Sequence, residues 1–247
     1  MRRTAAEQAE MVSQVLFAET MDLLEEQGSW ARVRTDADQY EGWVDRKMIS
    51  TLNDDVAAEI NAAPFGVVKM PVSMAMPTGA NSGIIMLSGG TRLPNYHDGK
   101  FSLLGVDFNI SDAMVGVNMQ LTQDNLNQIL PYWLNTPYLW GGRNAFGIDC
   151  SGFTQAIMRI FGRQLARDAS QQVSQGEPIA FLEESQPGDL AFFEKQEGHI
   201  SHVGIIISPT SLIHCSGRVR ISPLDSNGII DEQTNTYTHK LRTIVRV

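Results

Sequence analysis

Gly147-Ile148-Asp149-Cys150-Ser151-Gly152-Phe153 reads as a loop that turns into a helix at its cysteine. Asp is favoured just before a helix, where its carboxylate accepts from free backbone N–H groups. Phe153, Ile157, Ile160 and Phe161 follow at helical spacing and Gly162 supplies a stop, so a helix is predicted from about Cys150 to Phe161. A cysteine at such a start faces unpaired N–H groups and the positive end of the helix dipole. Both depress a thiol pKa, and the N–H groups can receive an oxyanion. Cys150 is the candidate nucleophile.

Working upstream, Leu126, Ile129, Leu130, Trp133 and Leu134 lie on one helical face from near Thr122, with Pro131 expected to kink or shorten that helix and Asn135-Thr136-Pro137 to end it. Downstream the period becomes that of strands: Leu190 to Glu194, His202 to Ser208, Leu212 to His214, Val219 to Ser222 and Arg242 to Val245. Helices followed by an antiparallel sheet make this part α+β.

A thiol nucleophile needs a base to take its proton and return it to the leaving amine, and histidine suits that task near neutral pH. His202 opens one apolar strand and His214 closes the next, so antiparallel pairing would set the two rings side by side, with His214 orienting His202. On the residues alone, ordinary structural roles for both histidines stay open. Cys215 alternates with His214 along its strand and is expected to point away as a structural thiol. Glu197-Gly198-His199 lacks convergent metal-ligand spacing, and neither a metal nor another cofactor is expected.

The front of the chain carries a different pattern. Short β segments are expected at Gln14 to Glu19, Met21 to Leu24, Trp30 to Thr35 and Gly42 to Val44, separated by Gln27-Gly28-Ser29 and Asp36-Ala37-Asp38-Gln39. From about Pro64 to Asp112 further strands (Val67 to Met70, Ile84 to Leu87, Phe101 to Ile110) alternate with Gly and Pro punctuation. Met70, Met74, Met76 and Met86 read as core filler, with a soft binding surface as the alternative.

A net charge of −9 with no basic cluster excludes nucleic acid as a partner. The apolar runs fall short of the roughly 20 residues that span a bilayer. Met1-Arg2-Arg3-Thr4 precedes Ala, Glu and Gln rather than an apolar stretch, so no export signal is expected. The expected location is the cytoplasm, or the periplasm or exterior if a leader has been removed. Two cysteines are too few for a disulfide framework.

Five ordered segments, Pro137-Tyr138-Leu139-Trp140-Gly141-Gly142, Asp149-Cys150-Ser151-Gly152-Phe153, Pro187-Gly188-Asp189-Leu190-Ala191-Phe192-Phe193, His202-Val203-Gly204-Ile205 and Ile213-His214, closely resemble the NlpC-type bacterial cell-wall cysteine peptidases. Trp30 to Arg34 followed by Tyr40 to Val44 resembles bacterial SH3-like domains. The resemblance implies a circularly permuted papain-like catalytic domain at residues 122–247, preceded by two small SH3-like β-barrels at 1–52 and 53–121. It also implies Cys150 as nucleophile, His202 as base, His214 as the orienting residue and Tyr138 beside the intermediate.

The front domains narrow the likeness to γ-D-glutamyl-L-diamino-acid endopeptidases, which cut muropeptides bearing a free N-terminal L-alanine during peptidoglycan recycling. By that resemblance Asp149, Ser151, Tyr40 and Glu10 bind the substrate, its ammonium group in particular. Simpler roles stay open: Asp149 as a helix cap, Tyr40 as a turn residue on Trp43, Tyr138 as a core aromatic. Arg167-Asp168-Ala169-Ser170-Gln171-Gln172 also resembles a cleft-bordering segment, but a solvated polar turn explains it equally and it is not counted in the site. Two other functions stay open: an autolysin or amidase acting on intact wall, and an inactive peptidoglycan-binding module. Intact Cys150, His202 and His214 argue against the second. The oligomeric state and the third stem residue, diaminopimelate or lysine, stay open too.

Overall fold

The computed structural model describes residues 1–79, 83–196 and 198–247; Glu197 of the loop considered for metal binding lies outside them. In the front segment β1 (Met21–Gln27), β2 (Trp30–Thr35) and β3 (Glu41–Asp45) form an antiparallel sheet in that order. Alternation along β2 buries Ala31, Val33 and Thr35, while Arg32 and Arg34 pair with Glu41 and Asp22 at the surface. The strand expected at Gln14 to Glu19 does not form. That stretch lies against the C-terminal half instead, because Gln14 accepts from the Arg143 N–H at 2.6 Å and Glu19 is drawn in by Arg143 and Arg159.

Helix α1 (Asp54–Ala62) was not expected from sequence. Asn53 caps it by accepting from the Val56 N–H, and Asp54 and Asp55 complement the dipole of its first turn. It buries no residue, so no apolar stripe announced it. Beyond it lie β4 (Phe65–Val68), β5 (Val72–Pro77), β6 (Ile85–Ser88), β7 (Arg92–Pro94), β8 (Lys100–Leu103), β9 (Val106–Ile110) and β10 (Val115–Gly116). They make two sheets, β10-β4-β7 and β6-β5-β9-β8, around a core that includes stacked Phe101 and Phe108. The methionine expectation is corrected here: Met74, Met76 and Met86 are 62%, 55% and 56% exposed, Met74 lying directly across from Met86. Alternation on β5 turns Ser73 and Ala75 inward and the methionines outward.

The C-terminal part opens with α2 (Gln123–Trp133), capped by Thr122 and ending two residues past Pro131. Short strands β11 (Arg143–Asn144) and β12 (Gly147–Ile148) lead into α3 (Cys150–Ile160), which is buried on every side, and a single turn α4 (Ala169–Gln172) follows. Then come β13 (Glu177–Ile179), β14 (Leu190–Gln196), β15 (His199–Ser208), β16 (Ser211–Ser216), β17 (Arg218–Asp225), β18 (Gly228–Asp231) and β19 (Thr236–Arg246). They form one sheet in the order β13-β19-β14-β15-β16-β17-β18, with β19 also pairing β18. Helices α2 and α3 bury Trp133, Phe153 and Ile157 against Val203, Ile205 and Ile213 of this sheet. Truncating any one of the large side chains would cost about 2–5 kcal/mol.

Gly89 and Gly90 fix the middle segment to these helices. A Cβ on Gly89 would lie 2.3 Å from the Trp133 ring, and Gly90 takes φ +85° with its Cα face against Ala156 of α3. Among the described residues no helix is long and apolar enough to cross a membrane.

Candidate active site

Cys150 stands at the first position of α3, 8% exposed, with Asp149 as the cap. The backbone N–H groups of Val203, the residue after His202, and of Ser151 lie near the thiol and favour its ionised form. Strand β15 runs antiparallel to β16 with Gly204 opposite His214, which sets the histidines two residues out of register on one face. Their rings meet: His202 Nε2 and His214 Nδ1 are 2.8 Å apart, and His214 Nε2 lies 3.0 Å from Ser222 Oγ on β17. If His202 is to accept a proton at Nδ1, its Nε2–H donates to His214 Nδ1 and the His214 Nε2–H donates to Ser222. One chain of bonds thus fixes both tautomers. Cys215 belongs to the core on the α3 side, its Sγ donating to the Ile148 carbonyl at 3.2 Å.

The electrostatics correct one expectation. Burial pushes the Cys150 thiol up to about 12, and the neighbouring Asp149 carboxylate adds to the rise. Burial likewise holds His202 well below its usual range and His214 at about 3. The helix start and the Val203 and Ser151 N–H groups oppose the thiol's rise without reversing it. Burial thus works against the thiolate that the helix start favours, and against the imidazolium of His202.

Asp149 is revised as well. Its Oδ1 accepts from Gly152 N (2.7 Å), Arg167 Nη1 (3.0 Å) and Ser151 Oγ (3.3 Å), and its Oδ2 from Arg167 Nη2 (2.6 Å) and Gly141 N (2.9 Å). Five donors saturate the carboxylate, so it organises the helix start rather than reaching for a ligand. Ser151, also buried, donates to Asp149 and accepts from Arg167 Nη1 at 2.9 Å, which leaves one lone pair on its oxygen.

Arg167 is the residue that sequence reasoning undervalued. It is 1% exposed, paired with Asp149, and donates to Ser13 Oγ at 3.0 Å, tying the N-terminal segment to the nucleophile's helix. The reading of 167–172 as a solvated turn fails on this pairing. Asp168 beside it is half-buried and lies near the Tyr40 hydroxyl. Burial raises the Asp168 carboxyl, and burial pushes the Tyr40 phenol up to about 12. The turn after β2 thus brings Tyr40 beside the nucleophile's supporting residues.

Tyr138, 37% exposed, is held by its N–H to the Gly217 carbonyl at 3.0 Å. Its phenol is pushed up to about 12, by burial first and then by Cys150 and Asp149. Glu10 pairs with Arg3 through one oxygen and accepts the Trp140 Nε1–H at 2.7 Å through the other, joining the N-terminal segment to the Tyr138-Leu139-Trp140 loop. His239 on β19 lies over His202, with ring centroids 4.3 Å apart and planes 31° from parallel. Neither Ser222 nor His239 was legible in sequence. Ser222 is placed by register across from Leu212, and His239 by the return of the last strand.

A family model described as the NlpC/P60 family matches residues 135–238, and one described as a bacterial dipeptidyl-peptidase Sh3 domain matches residues 1–49. The γ-D-glutamyl-L-lysine dipeptidyl-peptidase of Bacillus subtilis (strain 168) is 30% identical over 217 residues, 82% of this chain and 71% of the relative. The protein of that name from Bacillus cereus is 28% identical, over 89% of this chain and 72% of its own. A crystal structure of an NlpC/P60 family protein from Bacillus cereus superposes with a TM-score of 0.76 at 25% identity, covering 92% of this chain and 78% of that one.

Proposed function

The chain belongs to the NlpC/P60 family and is a cysteine peptidase of that family, and on that premise we propose that it hydrolyses the bond between γ-D-glutamate and the L-diamino acid in muropeptides with a free N-terminal L-alanine, as a step of peptidoglycan recycling. The observation that carries the reading is the contact of the front segment with the residues around the nucleophile, which would close one end of the cleft. Tyr40 lies near Asp168, and Glu10 accepts from Trp140, in the loop that precedes the helix beginning with Cys150. The Bacillus relatives' activity, as their name states it, supports the choice of bond.

In this mechanism Cys150 attacks the γ-carbonyl of the D-glutamyl residue while His202 Nδ1 takes the thiol proton. Transfer and attack are coupled, because a free thiolate is disfavoured in this buried site. The tetrahedral oxyanion meets the backbone N–H groups at the start of α3 and the Tyr138 hydroxyl, donors that need no reorganisation when charge develops. Collapse breaks the C–N bond, His202 returns its proton to the leaving amine, and an S-acyl enzyme remains. Water then adds with His202 as base, releasing L-Ala-γ-D-Glu and restoring the thiol. His214, with Ser222 behind it, keeps His202 in the required tautomer.

For the substrate's ammonium, Asp168 and the Tyr40 oxygen are the acceptors left open once Asp149 is saturated, with the spare lone pair of Ser151 as a third. Glu10 stands at the rim. A half-buried carboxylate already raised by burial gains most from a cationic partner. For the domain organisation, SH3-like units at 1–52 and 53–121 and a permuted papain-like unit at 122–247 fit the sheet boundaries. The test is incubation with L-Ala-γ-D-Glu-diaminopimelate and with the lysine analogue, products identified by mass. Release of L-Ala-γ-D-Glu supports the reading, and cleavage elsewhere or none overturns it.

A further inference from the structure

A recess of about 280 Å³ lies where α1, β4, β7, the turn after β2 and the far end of α3 meet. Arg159 on its wall is nine residues beyond Cys150. At 1.5 Å of rise per residue that is about 13–14 Å along the helix from the thiol, so the recess is separate from the peptidase cleft.

Its charged groups are unevenly paired. Glu19 is sandwiched between Arg143 (Nη2 to Oε1 2.8 Å) and Arg159 (Nη1 to Oε1 2.6 Å), and although its burial opposes ionisation the two arginines hold its carboxyl at about 2. Asp36 already accepts from Thr20 Oγ1 and from Asn61 Nδ2 at 2.9 Å. The wall itself thus carries two carboxylates and two guanidiniums, with Arg143 behind Glu19, and among the described residues Arg92 is the guanidinium of the wall without a carboxylate hydrogen bond. Its ion lies 3.9 Å from the centroid of the Phe65 ring, and Nη2 donates only to the Asn61 carbonyl at 3.3 Å.

Among the described residues, three guanidinium Nε atoms are buried without a partner: those of Arg34, Arg92 and Arg220. Arg34 and Arg220 each have a carboxylate on another nitrogen, Asp22 and Asp231. Arg92 has no such ion pair among them. The Arg92 Nε is closed off from the recess, but its Nη1 makes no hydrogen bond among the described residues, and a half-buried planar cation on an aromatic face beside a recess can receive a carboxylate or phosphate through its terminal nitrogens.

We propose that this recess is a second ligand site, binding a small oxyanion of the carboxylate or phosphate class on Arg92, with Arg159 as the cation behind it. Its volume, about 280 Å³, lies near the lower end of small-molecule sites, roughly 300 Å³. Occupation would fasten the front and middle segments to the helix that carries Cys150.

The test uses the full chain in chloride buffer at constant ionic strength, titrated by calorimetry with inorganic phosphate and, separately, with acetate, and melted with each. Saturation binding of either ion, with a melting point raised by about 3–5 °C at ten times Kd, is expected of the wild type. Which ion binds identifies the class. Arg92→Gln should bind at least tenfold more weakly and lose the thermal shift, while muropeptide cleavage in chloride is unchanged. Arg92→Lys, which keeps the charge but lacks the fork, gives the same comparison if Arg92→Gln does not fold. Wild-type affinity weaker than about 10 mM for both ions, or binding undiminished in both variants, overturns the proposal.

Discussion

Arg167→Met would remove a guanidinium that is 1% exposed and leave the Asp149 carboxylate, 5% exposed, facing only the Gly141 and Gly152 N–H groups and the Ser151 hydroxyl. Breaking a buried ion pair from one side costs about 3–5 kcal/mol, because the remaining charge keeps its desolvation penalty. Loss of the bonds to Ser13 and Ser151 adds about 1 kcal/mol each at most. Such a sum is a large share of an ordinary stability of about 5–15 kcal/mol, so the measurement is best made in urea at low temperature by tryptophan fluorescence. Asp149→Asn should cost several kcal/mol too, leaving Arg167 buried and unpaired. The double variant should fall short of the sum of the two by at least about 2 kcal/mol, since neither orphaned charge remains. Arg167→Met should also slow alkylation of Cys150, because an uncompensated Asp149 carboxylate raises the thiol further. A loss under about 1 kcal/mol for Arg167→Met, or additivity within about 0.5 kcal/mol, would refute the ion pair as the organiser of the helix start.

Cys150→Ala should abolish turnover while Cys215→Ala keeps most of it, and iodoacetamide should label Cys150; labelling chiefly at Cys215 would show the nucleophile misassigned. His202→Ala should lose about 10²–10⁴-fold in kcat/KM. His214→Ala should lose less, and His214→Asn or His214→Gln should restore part of the rate, since an amide oxygen can accept from His202 Nε2; unchanged activity in the His202 variant would exclude the triad. Stability should fall as the solution is acidified below about pH 6.5, where an unfolded histidine takes up a proton and the buried ones do not. His214 protonates in the folded protein only at about 3, so its contribution is complete above 6.5 and declines across the interval between. The decline is about 1.4 kcal/mol per pH unit for each such histidine. Urea midpoints between pH 7 and 4 should show it, and His214→Asn should flatten the slope by about one proton; an unaltered slope would mean that His214 is not buried neutral.

The nucleophile's helix, the two histidine strands and the helix ending near Pro131 were legible because each rests on local pattern: a cap, a 3.6-residue or two-residue period, a stop. Helix α1 escaped because its residues stay exposed and carry no apolar face. The segment 14–19 misled because its apolar residues suggested a strand, whereas buried pairing of Glu19 with Arg143 and Arg159, more than 120 residues away, decided its course. The same kind of distant pairing hid Arg167. Its partner Asp149 is eighteen positions earlier, and in sequence each looks like an ordinary surface charge. The upward push on the Cys150 thiol was missed for a related reason: a helix start is a local feature, while the burial that opposes it comes from the whole fold.

The proposed closure of the cleft end is tested most directly by the rates on free L-Ala-γ-D-Glu-diaminopimelate, on the same peptide acetylated at the alanine nitrogen, and on intact sacculi. Acetylation removes the charge that would face Asp168 and Tyr40 and adds bulk where the front segment lies. It should therefore lower kcat/KM by at least about a hundredfold, equivalent to roughly 2.7 kcal/mol, with sacculi cut still more slowly. Comparable rates on all three substrates would contradict the account and assign the enzyme to the cutting of intact wall.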